Sequence, residues 1–447
     1  MTTLTLQQRT NFRLLYHDVF WWGLLGGSSL AFIPVYIARL EGTSFQVSLL
    51  TAGPAVLALF LSLPVGRWLE NQDWTRTTFW TAFWGRIGYL LLIPMPWLFS
   101  DQGQVWFIIL LTLVMSVPIT ILTVSFNAMF AAAVPPEWRP HVVGRRAALL
   151  AVSISVTSLI CGQILDRVVF PLNYQIVFLI GVIGGGLSTF ALGRMQSTAP
   201  ESIRINSARA GRPLNDSAHL GQYNVGDAVR RTFGLRYLTR TEGKSLLRLD
   251  LLRGPYGPFM AAFFLFFTFL YLPIPLFPLF YVEDLNLTDG IISIAGALTQ
   301  LTIFLVSLRL TRISNWLGNR KLMAAGAMLY GVFPFLMALA KGAPMFLVAS
   351  LIGGGIWGLV NGGMINRLME RVPEDDRPAH MALYNLGSQL GILLGSLAGP
   401  LVGDLLGLRT ALLVSAALRL LAGILFNLWD KDTPVTSISA EASFSSD

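Results

Sequence analysis

The side chains able to do chemistry are few in this chain, and they are placed where catalysis is hard to assemble. Four histidines, His17, His141, His219 and His380, and one cysteine, Cys161, occur in 447 residues. Cys161 lies inside an apolar run, so neither a disulfide framework nor a cysteine metal site is available and it packs as a small hydrophobe. Inside the long apolar segments the ionisable groups reduce to Arg86, Arg419 and, at the start of the first segment, Asp18 beside His17. Without a buried nucleophile, paired deep acids or a metal cluster, an intramembrane enzyme is disfavoured, and no catalytic residue, metal or cofactor is assigned. What remains is recognition by neutral groups. Trp357 and Asn361 are four residues apart, hence on one helical face, and are the leading candidate for contact with a solute. An arginine inside an apolar span is a functional candidate by default. Lateral pairing or snorkelling is the competing reading for Arg86 and Arg419.

These residues sit in a chain that is 54% hydrophobic and 13% charged, with a mean hydropathy of +0.61. Soluble domains of that composition would expose large apolar surface, so this is a membrane protein. Splitting the charge-free windows at Gly, Pro and charged clusters gives twelve spans, near 19–38, 45–66, 78–98, 105–126, 143–165, 174–194, 257–281, 289–310, 321–340, 344–366, 380–403 and 409–429. Each holds the roughly 20 residues that a helical crossing needs. Continuous apolar character excludes the alternating pattern of an outer-membrane barrel and predicts an all-α protein.

With the N-terminus in the cytosol, fifteen Lys/Arg fall in short inner loops and tails, Arg67, Arg76, Arg139, Arg320, Arg371 and Arg377 among them. Only Arg39, Arg167, Lys341 and Arg409 fall outside. The positive-inside rule therefore places both termini in the cytosol. The expected organisation is a cytosolic segment 1–18, a six-helix half 19–194, a basic cytosolic linker 195–256, a second half 257–429 and a disordered tail 430–447. The polar N-terminus leads into the first span without a cleavage site, so that span is retained. Linker residues Arg230 to Arg253 fit anionic lipid head groups better than nucleic acid. Gly243-Lys244-Ser245 lacks the earlier glycine of a phosphate-binding loop, which disfavours ATP-driven pumping.

The two halves are copies. Val134-Pro135-Pro136-Glu137-Trp138-Arg139-Pro140 returns 238 residues later as Val372-Pro373-Glu374-Asp375-Asp376-Arg377-Pro378, and at that offset Asp166 falls on Asp404. Pro34-Val35-Tyr36 is matched by Pro278-Leu279-Phe280. The loop Gly66-Arg67-Trp68-Leu69-Glu70 is matched by Thr311-Arg312-Ile313-Ser314-Asn315, followed by Gly318-Asn319-Arg320-Lys321. Repeated halves with short basic loops are a transporter signature.

At these loops the chain resembles the major facilitator superfamily, whose signature between helices 2 and 3 runs Gly-x-x-x-Asp-Arg-x-Gly-Arg-Arg. Glu70 stands at the family's aspartate, Asp73 at its glycine and Asn315 at the aspartate of the second copy. The resemblance implies a twelve-helix fold and a cytosolic charge latch of Glu70, Arg76, Arg320 and Lys321. Arg139 and Arg377, at equivalent positions, would hold loops through carboxylates or helix C-terminal carbonyls. It also implies a cavity between the halves whose lining here is neutral: Ser28, Ser29, Thr120, Thr123, Asn127, Gln163, Gln300, Trp357, Asn361, Asn385 and Gln389. Asp18 is the acidic residue near a cavity-type helix, so proton or ion coupling has thin support. Gly399-Pro400 with Gly403 looks like the family's antiporter pattern but lies in span 11 rather than span 5.

Two further features bear on movement. Gly387, Gly391, Gly395, Gly399 and Gly403 form a four-residue ladder, matched at the 238 offset by the small residues Ser153, Thr157 and Cys161. A tight pairing of spans 5 and 11 across the halves is expected from it. Pro273, Pro275 and Pro278 crowd the outer end of span 7, where they bend the helix or form a bending gate. The expectation is a monomeric secondary transporter in the plasma membrane. It would move a small, uncharged or amphipathic organic solute, with efflux favoured over uptake, and the alternative is a transporter-like sensor or lipid flippase on the same scaffold.

Overall fold

The computed structural model describes residues 4–69, 72–196, 248–254, 256–372 and 377–430, and among these there is no strand. The first half comprises α1 (Leu6–Arg39), α2 (Ser44–Leu69), α3 (74–98), α4 (Asp101–Ala133), α5 (Arg139–Arg167) and α6 (Leu172–Gly193). The second comprises α7 (Tyr256–Asp284), α8 (Asp289–Ser307), α9 (Asn319–Leu339), α10 (Ala343–Arg371), α11 (Arg377–Leu406) and α12 (Leu408–Trp429). Among the described residues, eleven helices are long and apolar enough to cross a membrane. The twelfth, α3, is interrupted: a helix Trp74–Ile87 gives way at Gly88 to a 3₁₀ turn and then to Met95–Leu98. Pro94 and Pro96 supply no N–H to an α-helical ladder there. The linker beyond Gln196, with Gly243-Lys244-Ser245, and the latch residue Glu70 lie outside the described residues.

Local sequence explains the starts and breaks. Thr5 and Gln8 form a capping box on α1, and Asp73 accepts from the Thr75 and Arg76 amides at the start of α3. In α1, Gly26–Leu30 widens into a π turn ahead of Pro34, where Gly-Gly-Ser-Ser offers little resistance. In α7 the chain leaves the helix after Tyr271 and resumes at Leu276–Leu279, since Pro273 and Pro275 cannot donate.

The two halves repeat one packing plan: α1 against α5 and α6, α2 against α4, α3 against α4 and α6, then α7 against α11 and α12, α8 against α10, α9 against α10 and α12. The small-residue faces serve these pairs inside each half, which corrects the expected pairing of spans 5 and 11. A methyl on Gly391 would come within 2.8 Å of Phe264 O, and methyls on Gly395 and Gly399 would strike the carbonyls of Thr268 and Leu272, all on α7. Gly23 and Gly27 of α1 likewise leave room for only the Ser153–Ser158 stretch of α5. In the second ladder, Gly354 and Gly358 admit α8 at Thr299 and Ile303, and Gly362 meets Leu310 just beyond the end of α8. Backbone contact this close suits pairs that stay together.

Contacts between the halves are α5 with α8, α2 with α11 and the outer part of α1 with that of α7. Tyr36 and Phe32 of α1 share a cluster with Leu279 of α7, so the duplicated Pro-Val-Tyr and Pro-Leu-Phe phrases meet there. Hereafter the face with the arginine-rich loops is the basic face.

Candidate functional site

The seam between the halves is closed at the end opposite the basic face, and polar groups close it. Arg39 at the end of α1 pairs with Asp289 at the start of α8, Nη2 to Oδ1 3.0 Å, and also donates to Leu287 O at 2.6 Å. The Tyr174 hydroxyl of α6 donates to the other Asp289 oxygen at 2.9 Å. Asp166, last turn of α5, accepts from the Gly290 amide at 2.9 Å and the Thr288 hydroxyl at 3.1 Å. Asp404, last turn of α11, accepts from the hydroxyl of Ser44, first residue of α2, at 3.0 Å. The duplicated aspartates thus do equivalent work: each sets a carboxylate on the N-terminus of a helix in the opposite half, where the helix dipole favours negative charge. Two turns further in, the Thr51 hydroxyl meets Ser396 Oγ at 2.9 Å.

Towards the basic face, the ion pairs of Asp18 and of Asp430 each lie within one half. Asp18 is buried between Arg146 at 3.2 Å and Arg86 at 4.0 Å and accepts from Ser188 at 2.6 Å. Arg86 therefore pairs laterally rather than snorkelling, with Thr189 at 3.0 Å and Trp22 under its guanidinium. Arg139 donates to the carbonyls of Val134 and Ala131, closing the C-terminus of α4. Arg377 opens α11, but its side chain lies outside those described. Arg320 donates to Asn427 O at the end of α12, and Arg76 is exposed. Asp430 departs from the disordered tail expected from 430 onward: it is buried and gripped by Arg367 at 2.6 Å and Arg371 at 3.2 Å. Residues 431–447 lie outside the described chain.

The neutral candidates divide. Gln389 is seven residues, two helical turns, from Ser396, so it continues the α11 face that meets α2, about 10 Å nearer the basic face; Asn385 lies one turn further along. Gln300 stands in the same relation to Ser293, which packs against Gly162 of α5. Trp357 and Asn361 share a face with Met364, which accepts from the Tyr384 hydroxyl of α11, and Trp357 lies 5.2 Å from the Tyr330 ring. Asn361, Asn385 and Thr123 are exposed, and Trp357, Gln300, Gln389 and Asn127 are half-buried. Thr123 turns its hydroxyl to Ile119 O. Ser29 is displaced from the expected lining: it is buried against Gly181 in the α1–α6 contact, and its hydroxyl makes no hydrogen bond. Pro278 is buried in the outer segment of α7 that meets α1. Among the described residues no group of three His, Cys, Asp or Glu is placed to hold a metal.

Sequence reasoning missed the seam's closing groups, Arg39, Tyr174, Asp289 and Ser44. Asp166 and Asp404 were visible as a repeat but carried no role. Arg39 had a signal, as one of only four basic residues on its side.

Known proteins place this architecture. Residues 259–445 match the Major Facilitator Superfamily family description. The fold matches a point mutant of the nucleoside transporter NupG (TM-score 0.67, 12% identity, 94% of this chain and 100% of that one). It also matches a bacterial homologue of the iron transporter ferroportin in its inward-facing state (TM-score 0.67, 16% identity, 96% and 100%). A third match is the xylose transporter XylE from E. coli in a partially occluded inward open conformation (TM-score 0.64, 12% identity, 96% and 98%). No curated protein sequence matches the chain. The family match covers the second half, and the solved structures share the fold of the whole chain.

Proposed function

We propose that the protein is a secondary transporter that carries a small organic solute across the cytoplasmic membrane by alternating access, with both termini in the cytosol and efflux the favoured direction. The halves 19–194 and 257–429 rock about their seam. The observation that carries this reading is the polarity of the seam: Arg39, Asp166 and Asp404 bind the opposite half at one end, while towards the basic face Asp18 with Arg146, and Asp430 with Arg367, pair inside one half. A molecule held in this way is closed outside and parts inward, one of the two end states that alternating access requires. Trp357, Asn361, Gln300, Gln389 and Asn385, with Asn127 and Thr123 on α4, form the proposed solute surface on the inward faces. Asp18, with Arg146 and Arg86, joins α1, α3, α5 and α6 and is proposed to couple their movement.

The test is solute counterflow into liposomes containing the purified protein. Uptake saturating with solute and abolished by fixing the seam through a Thr51→Cys, Ser396→Cys cross-link supports the reading. Flux indifferent to the cross-link overturns alternating access.

A further inference from the structure

Which sign of charge a cavity accepts is decided by the fixed charges in its walls, because apolar helices around it focus their field. Among the described residues, six charged side chains are buried: Asp18, Arg86, Asp289, Arg367, Arg419 and Asp430. Five have an opposite charge within 4.0 Å, in the pairs Asp18–Arg86, Asp289–Arg39 and Asp430–Arg367. Arg419 is the exception. It sits near the middle of α12 with 0% exposure and no carboxylate in ion-pair range.

Its counterpart in the first half sharpens the point. Arg86 bridges α3, α1 and α6, the third, first and sixth helices of that half, through Asp18, Trp22 and Thr189. Arg419 bridges the equivalent α12, α7 and α9: Nη2 donates to Leu270 O at 2.8 Å, and the guanidinium lies over the Tyr330 ring at 4.5 Å. The first junction has a carboxylate, and among the described residues the second has none in ion-pair range. Capping Leu270 O, which the Pro273 break leaves without an α-helical donor, accounts for a hydrogen bond there but not for a charge. Nη1 also donates to Tyr330 O at 3.4 Å, and since both acceptors are neutral carbonyls, neither bond compensates the charge. Arg419 Nε makes no hydrogen bond, and the phenols of Tyr330 and Tyr281 lie within its electrostatic reach. From Tyr330 the rings lead to half-buried Trp357 on the proposed solute surface.

Building on the transporter reading, we infer that the solute is an organic anion with a planar apolar body, its ring against Trp357 and Tyr330 and its negative group drawn toward the field of Arg419. Arg419 acts as a positioning charge through Tyr330, not by touching the solute. This revises the uncharged solute expected from the neutral lining, which counted the side chains on the surface and left out the charge behind them.

Three probes with one ring separate the alternatives: 2-naphthalenesulfonate, 2-naphthalenesulfonamide and 2-naphthyltrimethylammonium, measured for binding and for flux with the full-length protein in liposomes. The sulfonate is expected to bind roughly tenfold more tightly than either other probe, the effect of one uncompensated charge several ångströms away. Arg419→Gln, which keeps a donor for Leu270 O, should bring the ratio near one, and Arg419→Lys should restore most of it. Equal or tighter binding of the amide or ammonium by the unaltered protein overturns the inference even if Arg419→Gln fails to fold, and so does an unchanged ratio in a folded Arg419→Gln. Flux that favours the neutral or cationic probe overturns the charge assignment and leaves the transporter reading standing. Sulfonate-selective binding without flux of any probe supports the charge assignment and counts against transport.

Discussion

At the scale of single residues, the contacts that decide conformation are polar groups at helix ends, and the contacts proposed for the solute are neutral groups at mid-depth. Asp289 is held from two helices of the other half, by Arg39 and by Tyr174. Replacing Arg39 with Ala removes one of these, and for a half-buried pair the loss is about 1–2 kcal/mol, between exposed and buried ion pairs. The outward-open population should rise roughly tenfold. A cysteine at Ser396, which has 0% exposure in the closed seam, reports this by its labelling rate, and the one native cysteine, Cys161, is buried and adds little background. An unchanged rate would show that the pair does not hold the seam. Trp357→Ala and Asn361→Ala should each weaken solute affinity on the order of tenfold with membrane abundance kept; wild-type kinetics in both would reject the proposed surface. The sequence alone puts Trp357 and Asn361 on one face of one helix, because they are four residues apart. It does not pair Arg39 with Asp289, since 250 residues separate the partners and only the tertiary fold brings them together.

At the scale of helices, composition and periodicity made the spans legible, and the repeat made the two halves legible, but neither said which helix a small-residue face meets. The glycine ladder of α11 was matched to α5 by sequence position, whereas its close approach is to the backbone of α7. A ladder reports how close a neighbour comes, not which neighbour it is. Gly395→Leu therefore should cut folded yield sharply, because even a methyl there runs into Thr268 O. Gly186→Ala on α6, where an added methyl meets nothing within 4 Å, should be silent or slightly stabilising, as helix propensity predicts. Yield and thermal stability after detergent extraction distinguish the two. Normal folding of Gly395→Leu would mean that α7 and α11 are farther apart than they stand here. The break in α7 belongs to the same scale: three prolines announced a bend, and the partner that occupies the freed Leu270 carbonyl, Arg419, came from a helix about 150 residues away.

At the scale of the whole molecule, the repeat gives the seam a symmetry that can be tested directly. Asp166 and Asp404 each hold the start of a helix in the opposite half, on separate arms of the seam, α5 with α8 and α2 with α11. Opening the outer end has to break both, and closing it has to remake both. A carboxylate at a helix N-terminus contributes about 0.3–1 kcal/mol when exposed and up to ~2 kcal/mol when partly buried. Asp166→Asn and Asp404→Asn should each raise the outward-open population several-fold, and because the sites share no partner their effects should add in the double variant. Spin-label distances across the outer ends of the two halves would register the shift directly. Asn preserves size and an acceptor oxygen, so a change would report the charge on the helix terminus and not a loss of packing. An effect from one aspartate alone would show that the copied residue has lost its role in the other arm. No effect from the double variant would place the closing force in Arg39 and the aromatic cluster of α1 and α6 instead.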